Sequence, residues 1–170
     1  MPNEGKKFES DIKQSIPQNM FFLRLNDPSV SFGQSSSTRF SPTNICDFIA
    51  YKNGIMYCWE LKTTLGGFTY WDERFEDETK KQAFEIKANQ IKGLRYASQF
   101  GGIVAGFILN FRKVNKTYFL SIQKFDEMVS KLDKKSFNID DCISAGAILI
   151  EQQIKRTHYK YDIEKLINDM

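Results

Sequence analysis

Apolar and polar residues follow one another along this chain in patterns that predict helices and strands in a definite order. Phe8, Ile12 and Ile16 recur at helical spacing over residues 3–16, and Pro17 ends that helix because it has no N–H to donate. Residues 20–25 (MFFLRL) are apolar and aromatic, as a strand should be. Residues 44–64, NICDFIAYKNGIMYCWELKTT, read as two strands joined at Asn53-Gly54. Asn-Gly between apolar runs is a hairpin signal because both turn residues must take positive φ. Counting outward from that turn opposes Tyr51 to Met56, Phe48 to Trp59 and Asp47 to Glu60. Opposed residues share a face, and Lys62, two along from Glu60, joins them there. Tyr57, Trp59 and Leu61 take the other face, toward the core.

The rest of the chain alternates in the same way. Residues 85–99 predict a helix with Ile86, Gln90, Ile91 and Leu94 on one stripe, where a glutamine is unusual because a buried amide needs partners. Residues 103–111 (IVAGFILNF) are nearly all apolar, which fits a strand buried on both faces. A strand over 117–122, helices over 124–132 and 139–143, and a last helix over 162–167 complete the series. The apolar run at 148–150 is followed by basic residues, Lys155, Arg156 and Lys160, and by the lone histidine, His158, read as a surface or interface residue beside Tyr159 and Tyr161.

Two stretches break the pattern. Residues 26–43 hold two prolines, a glycine and three consecutive serines, which marks a loop or an extended arm. As an arm on nucleic acid, it would place Arg39 on phosphate and Phe32 or Phe40 against bases. Residues 65–84 open on Gly66-Gly67 and mix aromatics with charges. They read either as a lid over the substrate carrying Tyr70, Trp71 and Arg74, or as an irregular connection with a short helical piece around 77–82.

Composition narrows the class. A chain of 170 residues, 41% hydrophobic and 26% charged, makes one globular domain with a core of its own. No apolar run approaches the roughly 18–20 residues of a membrane span, and the N-terminus lacks the apolar centre of a signal peptide, so a cytoplasmic protein is expected. The formal net charge of +3 is compatible with a nucleic-acid partner. Cys46, Cys58 and Cys142 are odd in number and lack CxxC spacing, so they read as buried small hydrophobes. Cys46 is expected to point away from the face carrying Cys58, which leaves no zinc set with His158.

The candidate chemistry lies on the hairpin. Two carboxylates directly opposed on a sheet repel each other unless a cation lies between them, and hard divalent cations prefer oxygen ligands. A lysine beside them can position a water or offset charge that develops on a phosphate. Asp47 followed on the next strand by Glu60-x-Lys62 resembles the signature of the PD-(D/E)xK nucleases, whose fold is an α/β, restriction-endonuclease-like mixed sheet flanked by helices. Within that superfamily the chain resembles the RecU-type Holliday junction resolvases of Gram-positive bacteria and their phages. The matching residues are Asn3-x-Gly5-x-x-Phe8-Glu9-x-x-Ile12, Asp47, Trp59-Glu60-Leu61-Lys62, Asn89-Gln90 and Gly101-Gly102, with the strands FILNF and TYFLS.

The resemblance implies that Asp47, Glu60 and the main-chain carbonyl of Leu61 hold Mg²⁺, for which Mn²⁺ would substitute. It implies that Lys62 positions the attacking water, that Glu9 supports the metal site from the first helix, and that Gln90 contacts the site or the substrate. It further implies a homodimer that binds branched DNA and nicks opposed strands of a four-way junction. Lys7, Arg39, Phe40 and Arg74 are the candidate DNA contacts. Residues 26–43 occupy the place of the family's stalk, but they are shorter and poorer in charge. That favours a phage-type member and a single nuclease domain over 1–170 with a short stalk-like insertion. The alternatives are another nuclease of this fold, of restriction or nicking type, and a junction-binding protein without catalysis.

Overall fold

The computed structural model describes residues 3–25, 44–75 and 83–170. The stalk-like segment with Phe32, Arg39 and Phe40, and the helical piece expected around 77–82, lie outside the described residues. Helix α1 (Glu4–Ser15) begins where the Asn3 side chain accepts the Lys6 N–H at 3.3 Å, the usual N-terminal cap. Its stripe of Phe8, Ile12 and Ser15 is buried.

Strands β1 (Phe21–Arg24), β2 (Phe48–Lys52), β3 (Ile55–Thr64), β5 (Ile103–Phe111), β6 (Lys116–Ser121) and β8 (Ile148–Ile150) form one six-stranded sheet in the order β1-β2-β3-β5-β6-β8. Only β3 and β5 run parallel. That pair needs a crossover, and α2 (Ala88–Ala97) lies on it. The hairpin register is the one counted from the turn: Asn53 and Gly54 have φ of 53° and 81°, and Phe48 pairs with Trp59.

Helices cover both faces. Phe48, Tyr57, Trp59 and Leu61 pack with Phe8 and Ile12 of α1 and with Ile163 and Leu166 of α5 (Ile163–Asp169). Cys58, Ala105, Phe107 and Leu109 pack on the other face with Ile91 and Leu94 of α2 and with Phe125 of α3 (Ile122–Lys131). Each leucine, isoleucine or phenylalanine among them taken out of water contributes roughly 1.5–3 kcal/mol, and β5, buried along seven successive residues, is the centre of both layers. A smaller pair, β4 (Phe68–Thr69) with β7 (Ser136–Phe137), and a short helix α4 (Ile139–Ser144) close the α3 side. No helix among the described residues is long and apolar enough to cross a membrane.

Three expectations change. Residues 68–70 are core rather than a lid: Phe68 and Tyr70 are fully buried, and the Tyr70 hydroxyl donates to Lys134 O at 2.7 Å. Its aromatics serve the core, which local sequence alone did not distinguish from a substrate cover. The basic tail forms a hairpin, β9 (Gln152–Lys155) and β10 (His158–Tyr161), which packs on α1. Its signal was the alternation from Gln152 to Tyr161, obscured by a turn at Arg156, whose φ of 44° is unusual for a side chain of that size. Cys46 does not point away from Cys58. The two buried cysteines lie in one cluster, with the Cys46 thiol donating to Phe48 O at 3.2 Å, because β2 begins only at Phe48 and strict alternation does not extend back to residue 46.

Candidate active site

The site is built by the hairpin and completed by α2. Asp47 stands one residue before β2, but its backbone continues the ladder: its N–H reaches Trp59 O at 3.1 Å, and its carbonyl accepts the Leu25 N–H at 2.8 Å. Its carboxylate turns onto β3, where Oδ2 accepts the Leu61 N–H at 2.9 Å. Glu60, on the central strand, is only 3% exposed. A buried carboxylate is costly unless it is paired and hydrogen-bonded. Lys62 supplies the charge, its Nζ 3.2 Å from Glu60 Oε1, and the Gln90 side-chain amide donates to the same oxygen. Asp47, Glu60, Lys62 and Gln90 are thus gathered on one face of the sheet.

Gln90 reaches Glu60 because α2 comes unusually close to the chain entering Asp47. A Cβ on Gly93 would lie 2.6 Å from Ile45 O and 3.0 Å from Ile45 Cα. Both are backbone atoms, so only glycine permits this approach. One turn earlier, the side-chain amide oxygen Oε1 of Gln90 accepts the Lys87 N–H at 2.9 Å. That bond caps the start of α2 and fixes which end of the amide faces Glu60. The requirement at Gly93 has a sequence signal only in retrospect, since a glycine inside a helix costs about 1 kcal/mol relative to alanine and calls for a packing reason.

Hydrogen bonding to Cys58 and burial push the Cys46 thiol well above its usual range, and the charges of Glu60 and Asp47 push it in the same direction. Among the described residues, His, Cys, Asp and Glu do not gather in threes. The donors at hand are two carboxylates and main-chain carbonyls, an all-oxygen set. Magnesium is bound through one or two carboxylates and keeps several waters, so this donor set fits it, whereas zinc prefers thiolate and imidazole.

The other expected residues are more dispersed. Glu9 is held by Arg24, at 2.7 Å from Nη2 and 3.0 Å from Nε, across the α1–β1 contact. Lys7 lines a cavity of about 210 Å³ on the α1 side together with Thr63, Asn110, Arg112 and Tyr159. Arg74 requires correction as a DNA contact. Its guanidinium binds both Asp72 oxygens and donates to the Val129 and Leu132 carbonyls at the end of α3, at 2.6 and 3.3 Å. Those donors are committed to the protein itself, although the side chain is 43% exposed. Sequence reasoning missed Arg112 and the polar chain behind Lys62. In that chain Thr63 donates to Asn110 at 2.8 Å, Asn110 to Thr117 at 2.9 Å and Thr117 to Gln152 at 2.9 Å. A lone Asn110 inside the apolar run IVAGFILNF was its visible trace.

No protein-family model matches the chain. It is 29% identical, over 99% of its length and 87% of the relative's, to the SPbeta prophage-derived uncharacterized protein YotM of Bacillus subtilis (strain 168). Among solved structures it is similar to Hjc of Archaeoglobus fulgidus, a Holliday junction resolvase from an archaeal hyperthermophile. That match has a TM-score of 0.53 and 14% sequence identity, and covers 85% of this chain and 95% of that one. The six-stranded mixed sheet with helices on both faces therefore has the restriction-endonuclease-like fold of that resolvase.

Proposed function

We propose that this protein is a Holliday junction resolvase of the RecU type, probed at its core by one observation: Asp47, Glu60 and Lys62 share a face, with the Asp47 carboxylate on the Leu61 N–H at 2.9 Å and Lys62 Nζ 3.2 Å from Glu60. A stabilising role alone does not account for a carboxylate pair beside a lysine, because a buried ion pair contributes little net stability. The likeness in fold to an archaeal junction resolvase and the likeness in sequence to a prophage protein support a phage-type nuclease.

In this reading the whole chain is one nuclease domain, acting as a homodimer in the cytoplasm of a bacterial or phage-infected cell. Asp47, Glu60 and the Leu61 carbonyl hold Mg²⁺, which when bound polarises the scissile phosphodiester and favours ionisation of water. Lys62 positions the attacking water and offsets charge that develops on the phosphate. Gln90 keeps the Glu60 carboxylate in one orientation, and Glu9, fixed by Arg24, supports the site from α1. Lys7 and Arg112 hold duplex arms through their phosphates, so binding depends on salt and little on arm sequence.

The test is cleavage of a labelled four-way junction in Mg²⁺ beside linear duplex of the same sequence, with wild type and Asp47→Asn. Paired nicks in opposed arms, a spared duplex and a variant that binds without cutting are the expected results. Cutting of both substrates at one sequence would make the protein a restriction or nicking enzyme. Junction binding with no cutting in any divalent metal would make it a binding module.

A further inference from the structure

Helix α2 differs from the other described helices in charge. It carries Lys92 and Arg95 and no acid, whereas α1, α3, α4 and α5 each hold at least two acids. Its inner side serves the site, since Gln90 donates to Glu60 and Gly93 lies against Ile45, two residues before Asp47. Residues three and four apart share one side of a helix. Asn89, Gly93 and Tyr96 therefore form a stripe on the flank that meets the chain entering Asp47, and Lys92 lies one turn from Tyr96. Asn89 and Lys92 are exposed. Tyr96 is 57% exposed, and Phe100, just past the helix end, is 48% exposed; their rings meet edge-on at 5.2 Å. Arg95 is tied to Asp126 of α3 at 2.8 Å. Lys92 Nζ stands 4.8 Å over the Trp71 ring, a contact that leaves the ammonium its charge.

We infer that this flank of α2 reads the branch in the DNA: Tyr96 and Phe100 receive a base that has left the helical stack, and Lys92 holds a phosphate of the same strand. The inference rests on the junction-cutting reading, and it names the side chains that tell branched DNA from duplex.

Three arguments select this occupant. The first is position. A phosphodiester at Asp47 and Glu60 has α2 beside it, because Gln90 of that helix touches Glu60. Tyr96 stands six residues further on, about 9 Å along the helix axis. That is the length of roughly two or three nucleotides of one strand, at 3.4 Å each. The second is charge. A strand with one negative charge per nucleotide is repelled by acids, and α2 presents none while offering Lys92. The centre of a protein interface is poor in lysine, which argues against a protein on the same stripe. The third is the chemistry of the rings. A duplex arm keeps its bases stacked and is held through phosphate and sugar, so it has no use for two exposed aromatics. A base freed at a branch has an open π-face, and stacking on aromatic side chains holds it whatever its sequence.

The experiment compares binding of the full chain to a labelled four-way junction and to linear duplex of the same sequence, in EDTA, so that affinity is read without cleavage. Tyr96→Ala and Phe100→Ala are each expected to weaken junction binding about tenfold, the scale of one base–aromatic stack, and to leave duplex binding unchanged. Tyr96→Trp, which keeps a ring, is expected to bind the junction as wild type does. Lys92→Ala should weaken both substrates alike and lower the slope of log affinity against log salt by about 0.9. Ile154→Ala, which alters a 71% exposed residue on β9, should change neither. Circular dichroism checks the fold, and if Tyr96→Ala fails to fold, Phe100→Ala, outside the helix, decides. Alanine variants that bind the junction as wild type does, alanine variants that lose junction and duplex equally, or a Tyr96→Trp as weak as Tyr96→Ala would each overturn the inference. Junction cleavage in Mg²⁺, measured separately, reports on the nuclease reading. A protein that prefers the junction through these rings and does not cut keeps the inference and loses the enzyme. One that cuts the junction while both alanine variants bind it normally keeps the enzyme and loses the inference.

Discussion

The Asp47 carboxylate accepts the Leu61 main-chain N–H at 2.9 Å, so the acid from one strand is fastened to the next strand between Glu60 and Lys62. An asparagine keeps an oxygen for that bond and removes the charge. Asp47→Asn should therefore melt within a few degrees of wild type and cleave at least about 10²-fold more slowly, the scale on which removal of a transition-state contact acts. Asp47→Ala should lose the bond as well, at about 1 kcal/mol of stability. Thermal melts beside single-turnover cleavage check both, and equal melting of the two variants would mean that the bond does not anchor the strands.

The Gln90 side-chain amide donates to Glu60, and its expected role is to act on the site through that carboxylate. Its replacement by alanine should raise the Mg²⁺ concentration needed for half-maximal cleavage by about 10–100-fold, as loss of a hydrogen bond to a metal ligand does elsewhere. Junction affinity measured without divalent metal should not change. A loss of affinity there would place Gln90 on the DNA instead.

Gly93 is the position that lets α2 approach Asp47. Gly93→Ala puts a methyl carbon 2.6 Å from Ile45 O, so helix or loop must shift. Overpacking of this kind costs about 1–3 kcal/mol. The expected outcome is a lower denaturation midpoint and, because the shift falls between Gln90 and Asp47, a drop in cleavage rate that persists well below the melting transition. Full activity in a destabilised variant would show that the site tolerates the shift.

Arg74 and Asp72 make a tie whose strength depends on pH. The Arg74 guanidinium holds the Asp72 carboxyl below its ordinary value of 3.8. A depressed carboxylate contributes stability that is complete above its unfolded value and is lost as pH falls through the folded one. The stability advantage of wild type over Asp72→Asn should therefore be full near neutral pH, begin to shrink as the pH drops through about 4, and vanish below the folded-state value. Urea titrations at several pH values measure this. In the same series, Arg74→Ala should leave the salt dependence of junction binding unchanged, while Lys7→Ala and Arg112→Ala should each lower its slope by about 0.9.

Much of the fold was legible in the sequence because it is locally encoded. Asn53-Gly54 set a turn that admits one register, and period-two alternation then assigned every side chain of β2 and β3 to a face, Glu60 and Lys62 included. The Cys46 expectation failed for the converse reason, since alternation holds only where the strand does, and β2 starts at Phe48. The β9–β10 hairpin escaped because its turn relies on an arginine at positive φ, where no glycine or asparagine marks the chain.

What the sequence determined by itself was therefore the order of elements, the hairpin register and the acid–lysine face, all consequences of backbone periodicity and turn sterics. Contacts between elements distant along the chain were decided only by tertiary packing. The 2.6 Å approach that makes Gly93 obligatory, the commitment of Arg74 to the end of α3, and the burial of Phe68 and Tyr70 all depend on where α2 and α3 lie on the sheet. Local periodicity carries no information about that placement, because it fixes which way a side chain points and not what it meets.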